Sequence, residues 1–345
     1  MRAVALFRRR RSAPGLPSSV PGFWSWWSGV SSSAADSADR GDEDGVQRAV
    51  AHQLRTVDPG LQAALLPGRR SRHALALTAG GRADLRTLAE RVRRAGPGDD
   101  AVWEYHSATP PRPEQFDQTL EVHGQRVDLA ATAVEARVDD QRCRLDVGVF
   151  NPSFARLPEE DRERLAVTTL TWALGEDDVE RWIGEVVPLE HRPLDSVPAA
   201  MLAAVTSELG RRWTDHWSLL EGTHGRLRLV AAIRSPLHRV DHLLFDEHLT
   251  VRLPYDDLTL DGLPGPRSSG DLLAFEEALV STVGHRAVLV AHETSAGERV
   301  LHLYDDSTAS VEADVRVMLP GYLGPVGMLE CDLDPAWRGV EHLRL

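Results

Sequence analysis

Apolar and polar positions alternate with clear periods over the last hundred residues of the chain. Residues 249–253 place an apolar side chain at every second position, which predicts a strand. Residues 272–283 place apolar side chains at helical spacing, which predicts a helix. The continuous apolar run 287–291 predicts a central strand, and 300–304 predicts its hairpin partner. This part of the chain therefore begins with the order strand, helix, strand, strand.

A second helix and a last strand complete this pattern. Helical spacing of apolar residues predicts the helix over 311–318, and alternation predicts the strand over 329–333. The resulting order is βαββαβ, for which right-handed crossovers favour a four-stranded antiparallel sheet with both helices on one face. We expect an α+β fold class with a ferredoxin-like C-terminal domain.

The N-terminal half has a similar but longer pattern, which predicts an elaborated relative of the same unit. Its elements are predicted in the order strand, helix, strand, hairpin, helix, strand and helix, at residues 73–79, 85–92, 101–107, 127–149, 158–174, 185–189 and 196–209. A lead-in with Phe23, Trp24, Trp26 and Trp27 precedes them. These rings either pack against the core or form an exposed patch for a partner, and the sequence leaves both alternatives open.

The length of the chain indicates more than one domain. It has 345 residues, and a single hydrophobic core stops growing at about 250 to 300 residues. We predict a disordered basic arm over 1–22, because this segment is rich in Arg and then in Pro, Ser and Gly. An N-terminal α+β domain with the Trp-rich lead-in is predicted over 23–211, a connector over 212–245 and the ferredoxin-like domain over 246–345.

Acidic residues are concentrated in the C-terminal part. The formal net charge is −13, and residues 246–345 carry 7 Arg against 18 Asp and Glu, a net charge of −11. A duplex-binding protein presents a clustered basic surface, so we expect no nucleic acid as the main partner. We expect a basic protein instead, contacted by Glu312, Asp314, Glu330 and Asp332, whose apolar neighbours point the other way. The alternative is that this acidity only keeps the domain soluble.

The sequence also predicts a compartment. No stretch has the roughly 18 apolar residues of a membrane span, and no apolar run of a secretory signal follows the early arginines. Cys143 and Cys331 fall on the apolar faces of predicted strands in different domains, so we expect buried, reduced thiols. We therefore expect no membrane contact and a cytoplasmic location.

The densest set of polar residues lies between positions 238 and 248. A metal-assisted hydrolase could use imidazole and carboxylate ligands from this stretch for Zn or Mn, namely His238, Asp241, His242, Asp246 and His248. Their spacing matches no zinc signature, and His238 and His242 face together only on a helix whereas His248 enters a strand. We predict that this stretch is a solvated polar loop that binds no metal, with a structural hydrogen-bonding role as the other alternative, and we expect no cofactor.

Other candidate pairs are weaker. The glutamates at 276–277 and the aspartates at 305–306 are adjacent residues, which point in different directions on a helix or a strand, so neither pair forms a catalytic dyad. We predict that the aspartates cap the following helix. His292 and His302 fall on the two strands of a predicted hairpin and could face each other, which makes them the most site-like pair, although we favour separate core or edge histidines.

The motifs of the common enzyme classes are absent from the sequence. It has no Gly-x-Ser-x-Gly elbow, no Lys for a phosphate-binding loop, no dinucleotide fingerprint and no Cys-x-x-Cys pair. We therefore favour a binding or regulatory protein over an enzyme, with the metal-assisted hydrolase as the alternative.

Five stretches of the C-terminal half carry a family resemblance. They are Phe245-Asp246-Glu247-His248, Asp261-Gly262-Leu263-Pro264, Glu293-Thr294-Ser295-Ala296-Gly297-Glu298-Arg299, Leu301-His302-Leu303-Tyr304 and Asp334-Pro335-Ala336-Trp337. They resemble the bacterial domain-of-unknown-function family numbered 695, along an actinobacterial branch. The Trp-rich start, Leu174-Gly175-Glu176-Asp177 and Arg181-Trp182-Ile183-Gly184 are similar to the N-terminal part in that branch.

This resemblance implies no known activity, because the family itself has none. The C-terminal topology is more distantly similar to the ribonuclease E inhibitor B family, and that similarity implies a protein-binding regulator. It is a likeness of topology and transfers no residue-level role to this chain.

Overall fold

The computed structural model describes residues 16–323 and 328–343. They divide into two compact units, Leu16–Thr214 and the residues from Asp215 onwards. Residues 1–15 of the predicted basic arm lie outside the described residues, and the chain is helical from Val20. In the described ranges, no helix is both long enough and apolar enough to cross a membrane.

The first part of the N-terminal unit packs helices against a small sheet. Its elements are α1 (Val20–Asp39), α2 (Glu43–Leu54), β1 (Gln62–Pro67), β2 (His73–Thr78), α3 (Arg86–Arg94) and β3 (Trp103–His106). β1 pairs antiparallel with β2, whereas β3 pairs parallel with it. A parallel pair needs a crossover connection, and α3 supplies it.

The rings of the Trp-rich lead-in belong to the core of this part. Phe23, Trp24 and Trp27 are buried on one side of α1. The indole N–H groups of Trp24 and Trp27 donate to the Val92 carbonyl and the Tyr105 hydroxyl, at 2.9 and 3.0 Å. Buried indoles need such acceptors, so this helix is a structural part of the unit.

The second part of the N-terminal unit has its own sheet and core. Its elements are β4 (Thr119–Val122), β5 (Gln125–Asp128), β6 (Ala133–Asp139), β7 (Arg144–Phe150), α4 (Glu159–Trp182), β8 (Ile183–Leu189), β9 (Val197–Pro198) and α5 (Leu202–Arg212). The sheet order is β8-β7-β6-β9, and β4 and β5 form a separate hairpin. Leu145, Leu170 and Leu202 join strands and helices in one core.

α4 is interrupted where the sequence predicts a break. Gly175 has a φ of 77°, which glycine adopts without strain. A Cβ at this position would lie 2.7 Å from Cδ of Pro111, so the close approach also requires glycine.

The N-terminal unit differs from the predicted elaborated βαββαβ unit. Its strands lie in three separate sheets of three, two and four strands. Two clusters of buried residues, one around Trp27 and one around Leu170, replace a single core. Strand order along a sequence does not reveal which strands pair, so this division was not predictable from periodicity.

The C-terminal unit contains one large sheet. Its elements are β10 (His216–His224), β11 (Leu227–Ser235), β12 (Glu247–Pro254), α6 (Pro266–Val283), β13 (Ala287–Ser295), β14 (Glu298–Asp305), α7 (Val311–Leu323) and β15 (Met328–Leu333). The sheet order is β10-β11-β13-β14-β12-β15, and every pair is antiparallel. The fold class is therefore α+β, as predicted.

The order βαββαβ occurs from β12 to β15, with the predicted strand 287–291 inside β13 and the predicted helix 272–283 inside α6. Leu249, Leu279 and Val315 belong to one core, which places α6 and α7 on the same face of the sheet. The strand order β15-β12-β14-β13 and these two helices are the features on which the ferredoxin-like interpretation rests.

The segment predicted as a connector forms two strands of the C-terminal sheet. Residues 212–245 contain the hairpin of β10 and β11, which extends the sheet next to β13. β10 is an edge strand whose Leu219 is 72% exposed, so its side chains lack the clean burial pattern that predicts a strand.

The second face of this sheet is covered by the end of the chain. A 3-10 turn at Arg338–Leu343 buries Val340 and Leu343 against the sheet. The ring of Trp337 stacks on Tyr304 of β14 with centroids 4.3 Å apart. Both faces of the central strands are therefore buried.

Candidate functional site

A groove opens between β11 and β13, because these strands pair over only part of their length. Residues 230–233 of β11 pair with residues 291–294 of β13. Residues 287–290 come before this paired stretch, and no strand of the described chain pairs with them on the β11 side. The result is a cleft of about 560 Å³ beside an unpaired strand edge.

A bulge and the end of β11 coincide where the pairing stops. The register of β13 with β14 shifts between Leu289 and Ala291, at the place where the pairing of β11 with β13 ends. A bulge adds a residue to one strand, bends it and increases its twist. β11 itself ends at Ser235, so it has no residue opposite the start of β13.

The groove has apolar walls that are open to solvent. β10 contributes Trp217, and α6 contributes Val280 and Val283. Trp217 and Val280 are 43% and 45% exposed, which is unusual for large apolar side chains on two neighbouring elements. Exposed apolar surface next to a cleft marks a binding site more often than a structural one.

The rim of the groove is acidic. It contains Asp215, Glu276, Glu277 and Arg234. The guanidinium of Arg234 donates to both oxygens of Asp215, from Nε at 2.9 Å and from Nη2 at 2.7 Å. These hydrogen bonds lower the pKa of Asp215 below its ordinary value. Asp215 thus neutralises Arg234. The other two acidic residues of the rim are Glu276 and Glu277 of α6.

The two glutamates have different roles, as their adjacent positions predict. Glu276 is partly buried, and its Oε2 lies 3.1 Å from Nδ1 of His292 and 3.6 Å from Nη1 of Arg299. Glu277 is exposed to solvent at the rim. Glu276 therefore holds the wall of the groove, whereas Glu277 presents a negative charge to whatever enters it.

The predicted pair of histidines does not face together. In the register of β13 and β14, His292 lies opposite Leu301 and His302 lies opposite Ala291. His292 contacts Glu276 on the helical face of the sheet, whereas His302 contacts Glu293 on the other face. The two histidines lie on opposite faces because the register set by the turn pairs His292 with Leu301, and the bulge lies farther from the turn than both of them.

His302 instead belongs to a chain of hydrogen bonds. Its Nδ1 lies 3.0 Å from Nε2 of His248, and its Nε2 lies 3.1 Å from Oε1 of Glu293. Nε2 of His342 lies 3.0 Å from the same carboxylate oxygen. The contacts with both histidines lower the pKa of Glu293 to about 2, although burial opposes this shift.

Burial dominates the properties of His248. Its ring lies between Tyr304 and His302, with centroid distances of 4.7 and 5.2 Å. Burial, followed by the electrostatic effect of the neighbouring His302, lowers the pKa of His248 to about 4. The ring is therefore neutral at pH 7 and is packed as part of the sheet.

The predicted metal ligands are spread over separate contacts. His242 stacks on Phe245, and Oδ1 of Asp246 accepts a hydrogen bond from the Ser307 amide at 3.1 Å. In residues 16–323 and 328–343, no three His, Cys, Asp or Glu side chains are placed to share one ion. The metal-assisted alternative thus has no ligand set in this part of the chain.

The interpretation of residues 238–248 as a solvated loop needs correction as well. His238, Asp246 and His248 are buried, and only Asp241 is exposed among the five residues proposed as ligands. These side chains stabilise the covered face of the sheet, in the segment that connects β11 to β12 along the chain.

The comparisons with known proteins concern this C-terminal unit. Residues 226–343 match DUF695, a family of unknown function. The match to DUF695 confirms the family resemblance predicted for the C-terminal half. The matched region begins in the turn between β10 and β11. Trp217 and the similar stretches of the N-terminal half therefore lie outside the match. Neither a curated protein nor a solved structure matches the chain.

The predicted aspartate pair of the DUF695 region has two separate roles. Oδ1 of Asp306 accepts hydrogen bonds from the amide and hydroxyl of Thr308, at 3.0 and 2.7 Å, so it stabilises a turn that precedes α7. Asp305 is completely buried opposite Glu247 of β12. Burial raises the pKa of Asp305 to about 8, and the charge of Glu247 adds to this shift.

The four acidic residues predicted to contact a partner lie on two elements of the DUF695 region. On α7, Glu312 pairs with Arg316 and Asp314 pairs with Arg286, each at 2.7 Å. Glu330 and Asp332 are exposed on β15, the edge strand opposite to β10. Their placement leaves the two strand residues as the more available charges.

The groove itself was missed by the sequence analysis. One of its walls comes from the segment predicted as a connector. Trp217 is the signal that the sequence offered there, because it is a large aromatic residue between polar neighbours. The cysteines are free, with Cys143 buried and Cys331 partly buried. Burial raises the pKa of the Cys331 thiol well above its ordinary value, which disfavours the reactive thiolate form.

Proposed function

We propose that the C-terminal unit is a protein-binding module, and that its groove holds an extended, basic segment of a partner protein. The observation that carries this proposal is the groove itself, in which Ala287, Val288 and Leu289, which no strand of the described residues pairs on the β11 side, lie beside the exposed ring of Trp217. The cytoplasmic location predicted from the sequence stays part of the proposal.

The backbone of β13 supports an extended ligand. An unpaired strand edge presents N–H and C=O groups at strand spacing, and a peptide can add to it as a further strand. Ala287, Val288 and Leu289 of β13 line this side of the groove, which corresponds to about 10 Å of extended chain. A ligand that follows this edge therefore has about three residues in the groove.

The side chains of the groove support a ligand that is both apolar and basic. Alternate residues of an added strand would pack against Trp217 and Val280, which are otherwise exposed. Glu277 at the rim favours a cation over an anion. Residues 215–345 carry 11 Arg against 21 Asp and Glu, a net charge of −10, which attracts a basic partner before contact.

The edge strand β15 is a second place where a basic partner could bind. The sequence analysis predicts contacts by Glu330 and Asp332, and both are exposed there. We favour the groove, because it combines a concave apolar surface with the charge, whereas β15 offers charge next to half-exposed Met328.

A peptide probe tests this proposal. An eight-residue fluorescent peptide of alternating Val and Arg is titrated with the full chain, and its anisotropy is measured. A peptide of alternating Val and Glu serves as the charge control. We expect saturable binding of the Arg peptide, which weakens with added salt because the screening length falls, and no binding of the Glu peptide.

Two variants then locate the binding site. Glu277→Gln should weaken binding of the Arg peptide about two- to fivefold, the size of an exposed ion pair. Asp271→Asn removes an exposed charge on α6 away from the groove and should leave binding unchanged. If the double variant Glu330→Gln and Asp332→Asn weakens binding and Glu277→Gln does not, the site is β15, and the groove proposal is wrong.

A further inference from the structure

We infer that a second copy of this chain pairs with β10, so that two C-terminal sheets join through their β10 edges. This inference goes beyond the proposed function, because it concerns the outer edge of β10 rather than the groove. β10 stands at one end of the sheet order, next to β11. No strand of the described ranges covers its other edge, and such an edge can accept a further strand.

β10 lacks the features that protect edge strands from pairing with other molecules. Natural edge strands are usually short, charged, bulged or interrupted by proline. β10 has nine residues, no proline and an uninterrupted register with β11. Its one carboxylate belongs to Glu221, which accepts a hydrogen bond from Nη2 of Arg228 at 2.6 Å. A strand added to this edge therefore meets a single carboxylate, which already has a counter-ion.

β15, the strand at the opposite end of the sheet order, has this protection. It has six residues, of which Glu330 and Asp332 carry exposed carboxylates. If two copies of β15 paired antiparallel, these like charges would lie opposite or diagonal to each other, which destabilises a strand pair. Of these two edges, β10 is therefore the one that suits pairing with itself.

The distribution of charge along the C-terminal unit favours the same edge. The hairpin of β10 and β11, residues 215–235, carries three Arg against Asp215 and Glu221, a net charge of +1. Residues 236–345 carry 8 Arg against 19 Asp and Glu, a net charge of −11. The two edge strands are five strand spacings apart, about 24 Å, which is roughly three screening lengths at physiological salt. Two acidic units can thus approach through their hairpins with little repulsion from the carboxylates of β15.

β10 also exposes apolar side chains that a second copy would cover. Leu219 is 72% exposed and Trp217 is 43% exposed, and both lie on one face of the strand because they are two residues apart. Leu219 does not line the groove, so the proposed function gives no reason for its exposure. A two-fold axis perpendicular to the sheet keeps this face common to both copies, so their exposed leucines would meet.

The sequence of β10 is compatible with a symmetric antiparallel pair. When Leu219 lies opposite Leu219 of the second copy, Trp217 lies opposite Glu221, and no two carboxylates face each other. Residues 216–222 then pair over about 24 Å. Backbone hydrogen bonds and the covered leucines hold this interface. It is small, so we expect a dissociation constant on the order of 10 μM.

Sedimentation equilibrium of the full chain tests the inference. We expect the mass of a single chain at about 1 μM and that of two chains at about 200 μM, well below and above this constant. Leu219→Glu should weaken the dimer about tenfold or more, since two carboxylates replace two covered leucines at the axis. Met328→Glu makes the same change on β15, where Met328 is 50% exposed, and should leave the dimer unchanged.

Two outcomes of this experiment would overturn the inference. A wild-type chain that stays monomeric at the highest concentration would show that β10 does not pair with a second copy. A dimer that Met328→Glu weakens and Leu219→Glu does not would place the interface at β15.

A disulfide tests the predicted register without adding charge. Cβ atoms of directly opposite residues in an antiparallel pair lie about 4.5 to 5.5 Å apart, close to the separation in a disulfide. Leu219→Cys should therefore crosslink two chains under mild oxidation. Thr223→Cys is the control, because the two Thr223 residues would lie eight residues apart, about 27 Å. The wild type gives the background from Cys143 and Cys331. Equal crosslinking of the two variants, or none, would overturn the inference.

The dimer and the groove are tested separately. A monomeric wild type that binds the Val-Arg probe peptide would overturn this inference and leave the proposed function intact. A wild-type dimer that Leu219→Glu weakens, but that binds no peptide, would support this inference and contradict the proposed function.

Discussion

The indole ring of Trp217 stacks on the imidazole ring of His292, with centroids 5.7 Å apart and an angle of 17° between the planes. Nδ1 of His292 also contacts Glu276 at 3.1 Å. His292 of the central strand β13 therefore contacts both the edge strand β10, through Trp217, and the helix α6, through Glu276. This contact fixes the position of the aromatic wall of the groove while leaving much of the Trp217 ring in solvent.

Trp217→Ala should weaken binding of the Val-Arg probe peptide about tenfold or more. Exposed aromatic rings beside a cleft are frequent hot spots of binding, and their truncation costs about 2 kcal/mol. Fluorescence anisotropy with the full chain measures this effect. Leu219→Ala is the matched control, since Leu219 lies on the same face of β10 and does not line the groove. Equal losses in the two variants would mean that the ring makes no specific contact.

Asp305→Asn should stabilise the protein at pH 8. The folded pKa of about 8 is above the ordinary value of 3.8, so the unfolded chain loses this proton first. The free energy of unfolding should therefore fall as pH rises from about 4 to about 8, and the amide removes this dependence. We expect a gain of at least about 1 kcal/mol at pH 8, roughly one pKa unit, with little change at pH 4.

Urea unfolding at several pH values measures this effect. Asp332→Asn removes an exposed carboxylate of the same unit and serves as the control. Parallel pH profiles of the wild type and Asp305→Asn would show that Asp305 is ionised in the folded protein, in contradiction to its burial.

His302→Ala should destabilise the C-terminal unit by about 1 to 3 kcal/mol, the cost of leaving a buried polar group without its partner. The group concerned is the imidazole of His248, whose Nε2 lies 3.0 Å from Nδ1 of His302. His342→Ala is the control, because its side chain is 56% exposed. We expect that variant to change the unfolding free energy by less than about 0.5 kcal/mol. If His342→Ala lowers the free energy of unfolding more than His302→Ala does in urea unfolding, the contact of Glu293 with His342 stabilises the unit more than the hydrogen bond between His302 and His248.

Glu104→Gln should destabilise the N-terminal unit by about 2 to 3 kcal/mol. Glu104 is buried, and its carboxylate accepts backbone N–H groups of Arg69, Arg70 and Ser71 at 3.0, 2.8 and 3.1 Å. These hydrogen bonds and that of His106 outweigh the effect of burial and lower the pKa of Glu104 to about 2. Glutamine turns an N–H group toward these donors and loses the charge, which accounts for the cost.

Thermal unfolding of Glu104→Gln and of a control measures this effect. Glu114→Gln is the control, because Glu114 forms an exposed ion pair with Arg112. A control that loses as much stability as Glu104→Gln would show that the loop at residues 69–71 does not depend on the buried carboxylate.

The sequence predicted the elements of the DUF695 region better than their arrangement. Alternation and helical spacing placed α6 and β13 correctly, because burial on one side of an element leaves a period in the sequence. The possible contact of His292 with His302 failed because the turn decides which residues lie opposite each other, and the observed register pairs His292 with Leu301. A difference of one residue in register moves a side chain to the other face, and no period records the register.

The groove was beyond sequence reasoning for a related reason. β10 exposes Trp217 and Leu219 on an edge, so polar and apolar residues mix there as they do in a loop. The acidic charge of the C-terminal part was visible in the sequence, but the ion pairs of Glu312 and Asp314 depend on arginines brought together by folding. Composition thus predicts the sign of a surface and leaves its position open.

Amide hydrogen exchange of the chain with and without the Val-Arg probe peptide tests the central claim most directly. The wild-type chain is used for both measurements. We predict slower exchange at residues 287–290 of β13 when the peptide is bound, and unchanged exchange at Met328–Leu333 of β15. Protection at β15 without protection at residues 287–290 would contradict the account.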